Sequence, residues 1–290
     1  MHPQTPSSPQ RGAALSPSGR IANVLTIAGT DPSGGAGIQA DIKAFSALGA
    51  YACSAITAVV AQNTRGVRQF VAMDPGFVAA QIDAVLEDVR IDAVKIGMIA
   101  NAGIARVVAD RLRAHDVRTI VLDPVMVAKS GHALLAPEAV EALRDELLPL
   151  ATVVTPNLPE AAVLLDRPDS WDAGTMQAAL PDLLALGCDW VLLKGGHLGH
   201  SAQSTDLLAG RDGRIVTLSA PRVATTNTHG TGGTLSSAIA ALLPGMDVPG
   251  AVAVAKRYLN GALAAADTLD VGGGHGPVHH FHALWPAPAA

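Results

Sequence analysis

Short apolar runs along the chain alternate with segments in which apolar residues recur every three or four positions. The short runs have the composition of strands buried on both faces, and the recurring spacing is typical of amphipathic helices. Strands are predicted at 23–29, 52–61, 93–97, 118–122, 151–155 and 190–194. Helices are predicted at about 38–48, 75–88, 104–112, 136–147, 232–243 and 248–268. Helices that separate buried strands predict βαβ units and a mostly parallel sheet.

The stretch 204–219 interrupts this alternation. Two strand-like pieces, STDLLAG and IVTLSA, flank the turn-forming letters RDGR, which predicts an antiparallel hairpin at one edge of the sheet. No change in composition divides the chain after residue 20, so we predict a single α/β domain over 21–290. In such a sheet, ligands bind beyond the carboxyl ends of the strands.

Composition and charge narrow the class of function. The 290 residues are 49% hydrophobic, enough for a large core, and the net charge is −5 without a cluster of Lys and Arg. Nucleic-acid binding is therefore not expected, and no apolar run reaches the roughly 20 residues of a membrane span. Residues 1–20 are rich in Pro, Ser, Gly and Arg and lack the apolar core of a secretory signal. They predict a disordered tail on a cytoplasmic protein, with Cys53 and Cys188 as buried free thiols.

The first candidate loop, residues 29–37 (GTDPSGGAG), joins a predicted strand to a predicted helix. Two of its glycines have the spacing of a Walker A phosphate loop, but Gly35 and Ala36 stand where that loop needs Lys and Ser or Thr. A tight structural turn stays open as the alternative. One helical turn later, Asp41 is placed either to bind a substrate hydroxyl or amine, or to be an exposed helix residue.

Polar residues also follow two other predicted strands. Asp123 comes directly after one, where a carboxylate is well placed to hold Mg²⁺ through water, with a turn or cap residue as the alternative. Asn157 and Glu160 follow another with the spacing of a helix capping box. The functional alternative puts both at a metal–phosphate site, because a helix N-terminus favours anions. Residues 129–131 (KSG) indicate either a phosphate-side loop or a solvated lysine.

Residues 227–234 (NTHGTGGT) lead into the predicted helix at 232–243. Small residues allow the backbone N–H groups of 230–233 to converge on one point at a helix N-terminus, which makes an anion hole. Such a site neutralises the charge that develops as a γ-phosphoryl group leaves ATP. The segment therefore predicts a phosphoryl-transfer site.

Two further motifs follow strands or close the chain. Lys194, with two glycines after it, adds a candidate nucleotide contact. The histidines of 276–282 (GPVHHFH) have no companion carboxylate or cysteine in sequence, so docking of the C-terminus is favoured over a metal site.

Together these segments resemble one family. The likeness covers about residues 22–285, and it implies a ribokinase-like three-layer α/β/α sandwich with a mostly parallel sheet and an antiparallel edge. The runs are TIAGTDPSGGAGIQADIKAFSALGAY, AITAVVAQNT, KIGM, VLDPVMVAKSG, TPNLPEA, LLKGGH, NTHGTG and GPVHHFH, in the order and spacing of hydroxymethylpyrimidine/phosphomethylpyrimidine kinases. That family uses ATP to phosphorylate 4-amino-5-hydroxymethyl-2-methylpyrimidine and then its monophosphate for thiamine synthesis. Its members are usually dimers or higher oligomers, and a homodimer is the expected state.

The resemblance also implies the site residues. The pyrimidine pocket would be lined by Gly29, Asp41, Gln62, Met98 and Val125. The amide of Gln62 suits the edge of an aminopyrimidine, because it both donates and accepts hydrogen bonds. Mg²⁺ would be oriented through water by Asp123 and Glu160, and ATP would be held by Asn157, Lys194 and Thr225. The anion hole would comprise Gly230, Thr231 and Gly232.

One position departs from the family pattern. The family reads GTGC at the anion hole, and its Cys is proposed to accept the proton of the substrate hydroxyl, whereas this chain has Gly233. General-base catalysis is typically worth about 10²–10⁴-fold in rate. The departure therefore predicts intact binding sites with reduced or differently assisted chemistry, in which water, His229 or a phosphate oxygen takes the proton.

Two other functions stay open. Pyridoxal-type vitamers have rings of similar size, although Gln62 and Met98 favour the pyrimidine. A non-catalytic protein that binds the pyrimidine and the nucleotide is supported by Gly233. Asp123, Glu160 and the anion hole argue against it, because a protein that only binds has no need to hold a transferring phosphoryl group.

Overall fold

A single sheet runs through the computed structural model, which describes residues 19–126, 136–196, 198 and 202–286. Within these residues the strands are β1 (Asn23–Gly29), β2 (Tyr51–Asn63), β3 (Gly66–Ala72), β4 (Ala93–Ile96), β5 (Ile120–Leu122), β6 (Val153–Val154), β7 (Trp190–Lys194), β8 (Gln203–Gly210) and β9 (Ile215–Pro221). The nine-stranded sheet has the order β3-β2-β1-β4-β5-β6-β7-β8-β9. Neighbours from β2 to β7 are parallel, while β3, β8 and β9 add antiparallel pairs at the two edges.

Helices cover both faces of the sheet. They are α1 (Gly37–Ala47), α2 (Pro75–Leu86), α3 (Ala102–Ala114), α4 (Pro137–Ala142), α5 (Leu158–Leu164), α6 (Ala173–Ala178), α7 (Leu180–Ala185), α8 (Thr231–Leu242) and α9 (Val248–Ala264). One core joins α1, α8 and α9 to the sheet around Phe45 and Ile239, and the other joins α2, α3, α5 and α7 around Ile82 and Ile104. The expected three-layer α/β/α sandwich is confirmed.

Local side-chain chemistry sets where several helices begin and end. Asp74 accepts a hydrogen bond from Phe77 N at 3.0 Å before α2, and Asn101 accepts one from Ile104 N at 2.9 Å before α3. These caps satisfy amide groups that have no partner inside the helix. Gly49 follows α1 with a φ of 84°, as expected for a glycine just past a helix end.

The edges of the sheet show what the apolar pattern predicts well and what it misses. The hairpin predicted at 204–219 is confirmed, with Leu207 paired to Thr217 between β8 and β9. The antiparallel strand β3 was not predicted. Its residues are mostly exposed, so it has neither the continuous apolar run of a buried strand nor a clear alternation.

Two of the predicted helices differ in detail from the structure. The helix predicted at 136–147 is regular only over Pro137–Ala142 and continues as a π-helical turn, Leu143–Leu147, and a 3₁₀ turn, Leu148–Leu150. Pro149 lies in that last turn and has no N–H to continue an α-helix. The helix predicted at 248–268 ends at Ala264 and is followed by a 3₁₀ turn at Ala266–Thr268.

In the described part of the chain, no helix is long and apolar enough to cross a membrane. Both cysteines are free; Cys188 is buried as predicted, whereas Cys53 is only partly buried. Cys53 lies on β2, near the edge of the sheet, where fewer elements cover it.

Candidate active site

Residues beyond the carboxyl ends of the parallel strands meet at the start of α8. A Cβ placed on Gly29, at the end of β1, would lie 3.2 Å from Met98 Sδ, just beyond β4. A Cβ placed on Gly232, in α8, would lie 3.1 Å from Lys194 Nζ at the end of β7 and 3.8 Å from Asp123 Oδ2 just beyond β5. The structure therefore brings together residues that sequence reasoning assigned to the pyrimidine, the metal and the anion hole.

The loop between β1 and α1 is built around Asp31, which is fully buried. Its carboxylate accepts hydrogen bonds from the backbone N–H groups of Ser33, Gly35 and Ala36, and its Oδ2 lies 2.7 Å from His229 Nε2. Burial alone would raise the pKa of Asp31, but the hydrogen bonds from His229 and Ser33 hold that pKa well below its usual range. The loop thus turns around an ionised carboxylate and is joined through it to the segment before α8.

The N-cap position of α8, just before the helix, requires glycine. Gly230 has a φ of 76°, and a Cβ there would lie 1.8 Å from the carbonyl oxygen of Gly35. A side chain is therefore excluded both by the left-handed backbone and by the contact between the two glycine-rich loops. No side chain caps α8, and the N–H of Thr231 makes only a long hydrogen bond, 3.4 Å, to the carbonyl oxygen of Thr228, so the helix start can bind an anion.

Asp123, Lys194 and Glu160 lie beneath Gly232; we call them the open cluster. Lys194 Nζ lies 3.3 Å from Asp123 Oδ1 and 4.0 Å from Glu160 Oε2. Burial raises the pKa of Glu160 to about 7; the Lys194 ammonium opposes this shift and the Asp123 carboxylate reinforces it. The two carboxylates raise the pKa of Lys194 against the effect of its burial, so the lysine stays charged. The open cluster can change its protonation near neutral pH.

Asn157 and Glu160 form the capping box that their spacing predicted. Asn157 N donates to Glu160 Oε2, and Glu160 N donates to Asn157 Oδ1, both at 2.8 Å. Glu160 also lies near Lys194, so the capping box is compatible with a metal–phosphate role for the same side chain, which stays a prediction. Asn157 is additionally bridged to Lys194 through parallel backbone pairing.

A second buried ion pair lies behind Gly233. Asp41 is fully buried, so the interpretation of it as an exposed helix residue is wrong; α8 covers that face of α1. Its carboxylate lies 2.8 Å from Lys95 Nζ and also accepts hydrogen bonds from the hydroxyls of Thr26 (2.6 Å) and Ser237 (2.7 Å). We call these four residues the closed cluster, since protein donors surround its carboxylate.

Gly233 differs from Gly230 because a side chain has room there. A Cβ on Gly233 would make ordinary contacts, 3.6 Å from Asp41 Oδ1 and 3.9 Å from Lys95 Nζ. Neither steric exclusion nor a left-handed backbone requires glycine at this position.

The remaining predicted pyrimidine residues lie around the ends of β1, β2 and β5. Gln62, half-buried on β2, lies close enough to Asp31 to help hold the pKa of that carboxylate low. Val125 is half-buried and lies just beyond β5, where its N–H donates to the carbonyl oxygen of Asp123 at 2.8 Å. Gln62 therefore lies next to the glycine-rich loop that begins at Gly29.

Thr225 lies just before residues 227–234, and the histidines of 276–282 lie near the end of the chain. Thr225 Oγ1 donates to Asp267 Oδ1 at 2.5 Å and accepts from Asn227 N at 3.1 Å, so its hydroxyl organises the loop. The tail docks as expected, with His280 Nε2 3.0 Å from Thr234 Oγ1. Across the described residues, no group of three or more His, Cys, Asp or Glu side chains is placed to hold a metal. Residues 129–131 lie outside the described residues.

Sequence reasoning missed two residues of the site. Asp31 was overlooked although it is the sole carboxylate in the loop 29–37. Lys95 was overlooked although a lysine within the apolar strand β4 signals a buried partner. In both cases the signal was a charged residue in surroundings that leave little room for water.

Comparison with known proteins agrees with this geometry. The phosphomethylpyrimidine kinase family matches residues 31–279. The chain is 61% identical, over 264 residues, to the hydroxymethylpyrimidine/phosphomethylpyrimidine kinase of Salmonella typhimurium; the match covers 91% of this chain and 98% of that protein.

Two solved structures are also similar to this fold. The pyridoxal kinase of Bacillus subtilis, solved as an ADP complex, has a TM-score of 0.83 and 34% identity, covering 90% of this chain and 97% of that chain. The pyridoxal kinase of Staphylococcus aureus in complex with AMP-PCP and pyridoxal has a TM-score of 0.83 and 31% identity, covering 92% and 96%. An uncapped, glycine-lined helix start in this sandwich and a match over most of the sequence lead to one conclusion: the chain belongs to the phosphomethylpyrimidine kinase family.

Proposed function

We propose that this protein transfers the γ-phosphoryl group of ATP to 4-amino-5-hydroxymethyl-2-methylpyrimidine and then to its monophosphate, in thiamine synthesis. The observation that carries the proposal is the start of α8, a helix start without a side-chain cap that lies beside the ammonium of Lys194. Donors fixed in place before the reaction stabilise developing phosphoryl charge without reorganising. The family and the ADP complex of a similar structure support ATP as the donor.

In this proposal the two sides of the site hold different substrates. The pyrimidine lies near Gly29, Gln62 and Met98, and the terminal phosphate of ATP lies on the N–H groups of residues 230–232. Asn157, Lys194 and Thr225 hold or organise the rest of the nucleotide site. Asp41, saturated by Lys95, Thr26 and Ser237, shapes the wall between the two substrates.

Mg²⁺ would be held, through water, by Asp123 and Glu160. The donor set fits, because both groups are hard carboxylate oxygens placed around one ammonium beneath the anion hole. When bound, the ion would neutralise charge on the phosphates of the nucleotide. Lys194 would hold the two carboxylates in place and contribute its own positive charge to the same phosphates.

We further propose that Gly233 makes the chemical step slow. No side chain at 233 can accept the hydroxyl proton, and the nearest carboxylate, Asp41, is fully buried with its oxygens occupied by protein donors. Nε2 of His229 is already bound to Asp31. Water or a phosphate oxygen is left to take the proton late, which a largely dissociative transition state tolerates.

A pyridoxal-type vitamer is the second candidate substrate, because the similar structures are pyridoxal kinases. The amide of Gln62 beside Asp31 favours the aminopyrimidine, which offers both donors and acceptors at its edge. A purely binding protein is less consistent with an uncapped helix start above a charged lysine.

An ADP-release assay with each candidate acceptor separates these functions. We expect ADP formation with the pyrimidine alcohol and with its monophosphate, and a lower kcat/KM with pyridoxal. Binding of the pyrimidine in a calorimeter without any ADP formation would support the binding protein instead. A higher kcat/KM with pyridoxal than with either pyrimidine would reverse the substrate assignment.

We also propose that the protein is a homodimer formed through the β2–β3 edge. Val59 and Val71 pair across these strands and are 51% and 68% exposed, and Phe77 at the start of α2 is 56% exposed. Exposed apolar side chains grouped at an edge favour association.

In sedimentation velocity, Val71→Asp should give a monomer. Ile215→Asp, at a similarly exposed position on β9, should leave the dimer intact; a monomeric unmodified protein would refute the proposal.

A further inference from the structure

Residues 274–280 contact the segment that precedes α8; we call them the C-terminal strap. His229 N donates to the carbonyl oxygen of Gly276 at 3.0 Å, and Gly276 N donates to Asn227 Oδ1 at 3.1 Å. Pro277 pairs with His229 as an isolated bridge. The strap therefore fixes the backbone immediately before the anion hole.

The strap also reaches the other side of the anion hole. His280 Nε2 lies 3.0 Å from Thr234 Oγ1, with His280 only 4% exposed and Thr234 fully buried. Burial lowers the pKa of His280 to about 3, so the ring is neutral and bonds Thr234 as an uncharged partner. Tyr258 holds the same residue from α9, because its hydroxyl donates to the carbonyl oxygen of His280 at 2.8 Å.

A third attachment joins the strap to the pyrimidine side. Gly274 N donates to Thr64 Oγ1 at 3.1 Å, and His275 N donates to the carbonyl oxygen of Thr64 at 2.9 Å. Thr64 is buried in the turn between β2 and β3, two residues after Gln62. One short segment thus spans from the turn beside Gln62 to both ends of the anion hole.

The absence of a cap on α8 explains why such a segment is needed. A capping side chain would accept hydrogen bonds from the N–H groups at the helix start, and those are the groups that the phosphate requires. Their positions must then be fixed from outside the helix. The strap does so by holding residue 229 on one side and residue 234 on the other.

From these contacts we propose that the C-terminal strap positions the anion hole, with His280 acting through Thr234 as the main positioning residue. The inference rests on the proposed function, since it assumes that the phosphate binds at residues 230–232. A displacement of about 1 Å at a reacting centre can cost about 100-fold in rate. The loss should appear in kcat more than in KM, because these donors bind most tightly to the transition state.

The test removes the Thr234–His280 hydrogen bond from each side. Thr234→Val keeps the side-chain shape and loses the hydroxyl, Thr234→Ser keeps the hydroxyl, and His280→Phe keeps a ring without a nitrogen. We expect Thr234→Val and His280→Phe to lower kcat by roughly 10–100-fold with KM for ATP within about threefold. Thr234→Ser should stay close to the unmodified protein. The double variant should be no slower than the worse single one, because both changes remove the same bond.

His115→Asn is the control for a loss of stability alone. His115 lies at the end of α3, in the other helix layer, with Nε2 2.8 Å from Asp83 Oδ1. We expect it to lower the melting temperature without changing kcat of the folded fraction. Wild-type kcat in folded Thr234→Val and His280→Phe would overturn the proposal, and so would an equal loss of kcat in His115→Asn.

Hydrogen exchange separates a failure of the strap from a failure of the proposed function. Amides 229–234 should exchange faster in Thr234→Val and His280→Phe than in His115→Asn, whether or not the protein turns over. If the unmodified protein makes no ADP, the proposed function fails and this exchange pattern still decides the strap. Unchanged exchange in both variants would refute the positioning role.

Discussion

The closed and open clusters are both buried lysine–carboxylate groups below the start of α8, but they are built differently. In the closed cluster, Asp41 is saturated at 2.6–3.0 Å by Lys95 and two hydroxyls. In the open cluster, Asp123 also has a lysine and two hydroxyls as donors, but the distances from Lys194, Thr155 and Ser236 are longer, at 3.2–3.3 Å, and Lys194 lies 4.0 Å from Glu160. Short, complete hydrogen bonding locks four elements together, whereas long contacts leave lone pairs for a ligand. We therefore propose that the closed cluster is a scaffold and that the open cluster binds the ligand.

The largest expected effect comes from breaking the closed cluster. Lys95→Met leaves the Asp41 carboxylate buried without its counter-charge, which should cost about 3–5 kcal/mol of unfolding free energy. Urea unfolding followed by circular dichroism measures the loss. Combining Lys95→Met with Asp41→Asn should restore part of the stability, because no charge then remains buried. A Lys95→Met protein as stable as the unmodified one would remove the distinction between the clusters.

Gly233→Cys should have the next largest effect, and in the favourable direction. The new side chain has room beside the closed cluster, and a thiol at a helix N-terminus has a lowered pKa and can accept the substrate proton. We expect kcat to rise by about 10²-fold or more, with little change in KM. Steady-state kinetics with both pyrimidine substrates measures it. Gly233→Ala, which fills the same space without a base, is the control; if the Cys protein is no faster than the Ala protein, the missing-base idea is wrong.

Lys194→Met should have the opposite balance of effects to Lys95→Met, with a small loss of stability and a large loss of activity. Glu160, whose pKa is about 7, can take up a proton when the ammonium is removed, so the loss of stability should stay below about 2 kcal/mol. The loss of a charge that stabilises the phosphates should lower kcat/KM for ATP by about 10²-fold. Parallel measurement of unfolding and kinetics checks both parts. A variant that is unstable but fully active when folded would make the open cluster a scaffold as well.

The smallest expected effect is a pH dependence that comes from Glu160. Because its pKa is raised from 4.5 to about 7, the ionised form needed for the metal site is lost as pH falls below 7. We expect kcat/KM to rise with pH through about 7, while the contribution of Glu160 to stability falls between pH 4.5 and about 7. Glu160→Gln keeps the capping box and should flatten both curves. An unchanged pH profile in that variant would assign the titration to another group.

The sequence predicted most of the sandwich, because periodic burial is a local signal. The strand at 190–194 and the edge hairpin were predicted from the apolar pattern and the turn-forming residues alone. Strand β3 was missed because its side chains are mostly exposed, and its place depends on pairing with β2. Short helices such as α6 and α7 also carried too few periodic positions to be predicted.

The site was predictable where chemistry follows a strand or opens a helix. Asp123, Lys194 and residues 230–233 were proposed in that way, and the structure brings Asp123 and Lys194 together beside Gly232. Asp41 shows the limit, because its position one turn into α1 said nothing about Lys95 or about Ser237, which is 196 residues away. Contacts between residues so distant in sequence are set by the packing of helices on the sheet, and one amino-acid sequence alone does not reveal them.

A crystal structure with AMP-PCP and the pyrimidine alcohol tests the central claim most directly. We expect the terminal phosphonate oxygens to accept hydrogen bonds of about 2.7–3.2 Å from the N–H groups of residues 230–232. The hydroxymethyl group should face that phosphorus from the side of Gln62 and Met98. A terminal phosphate bound away from the start of α8, or a pyrimidine bound away from Gln62, would contradict the account.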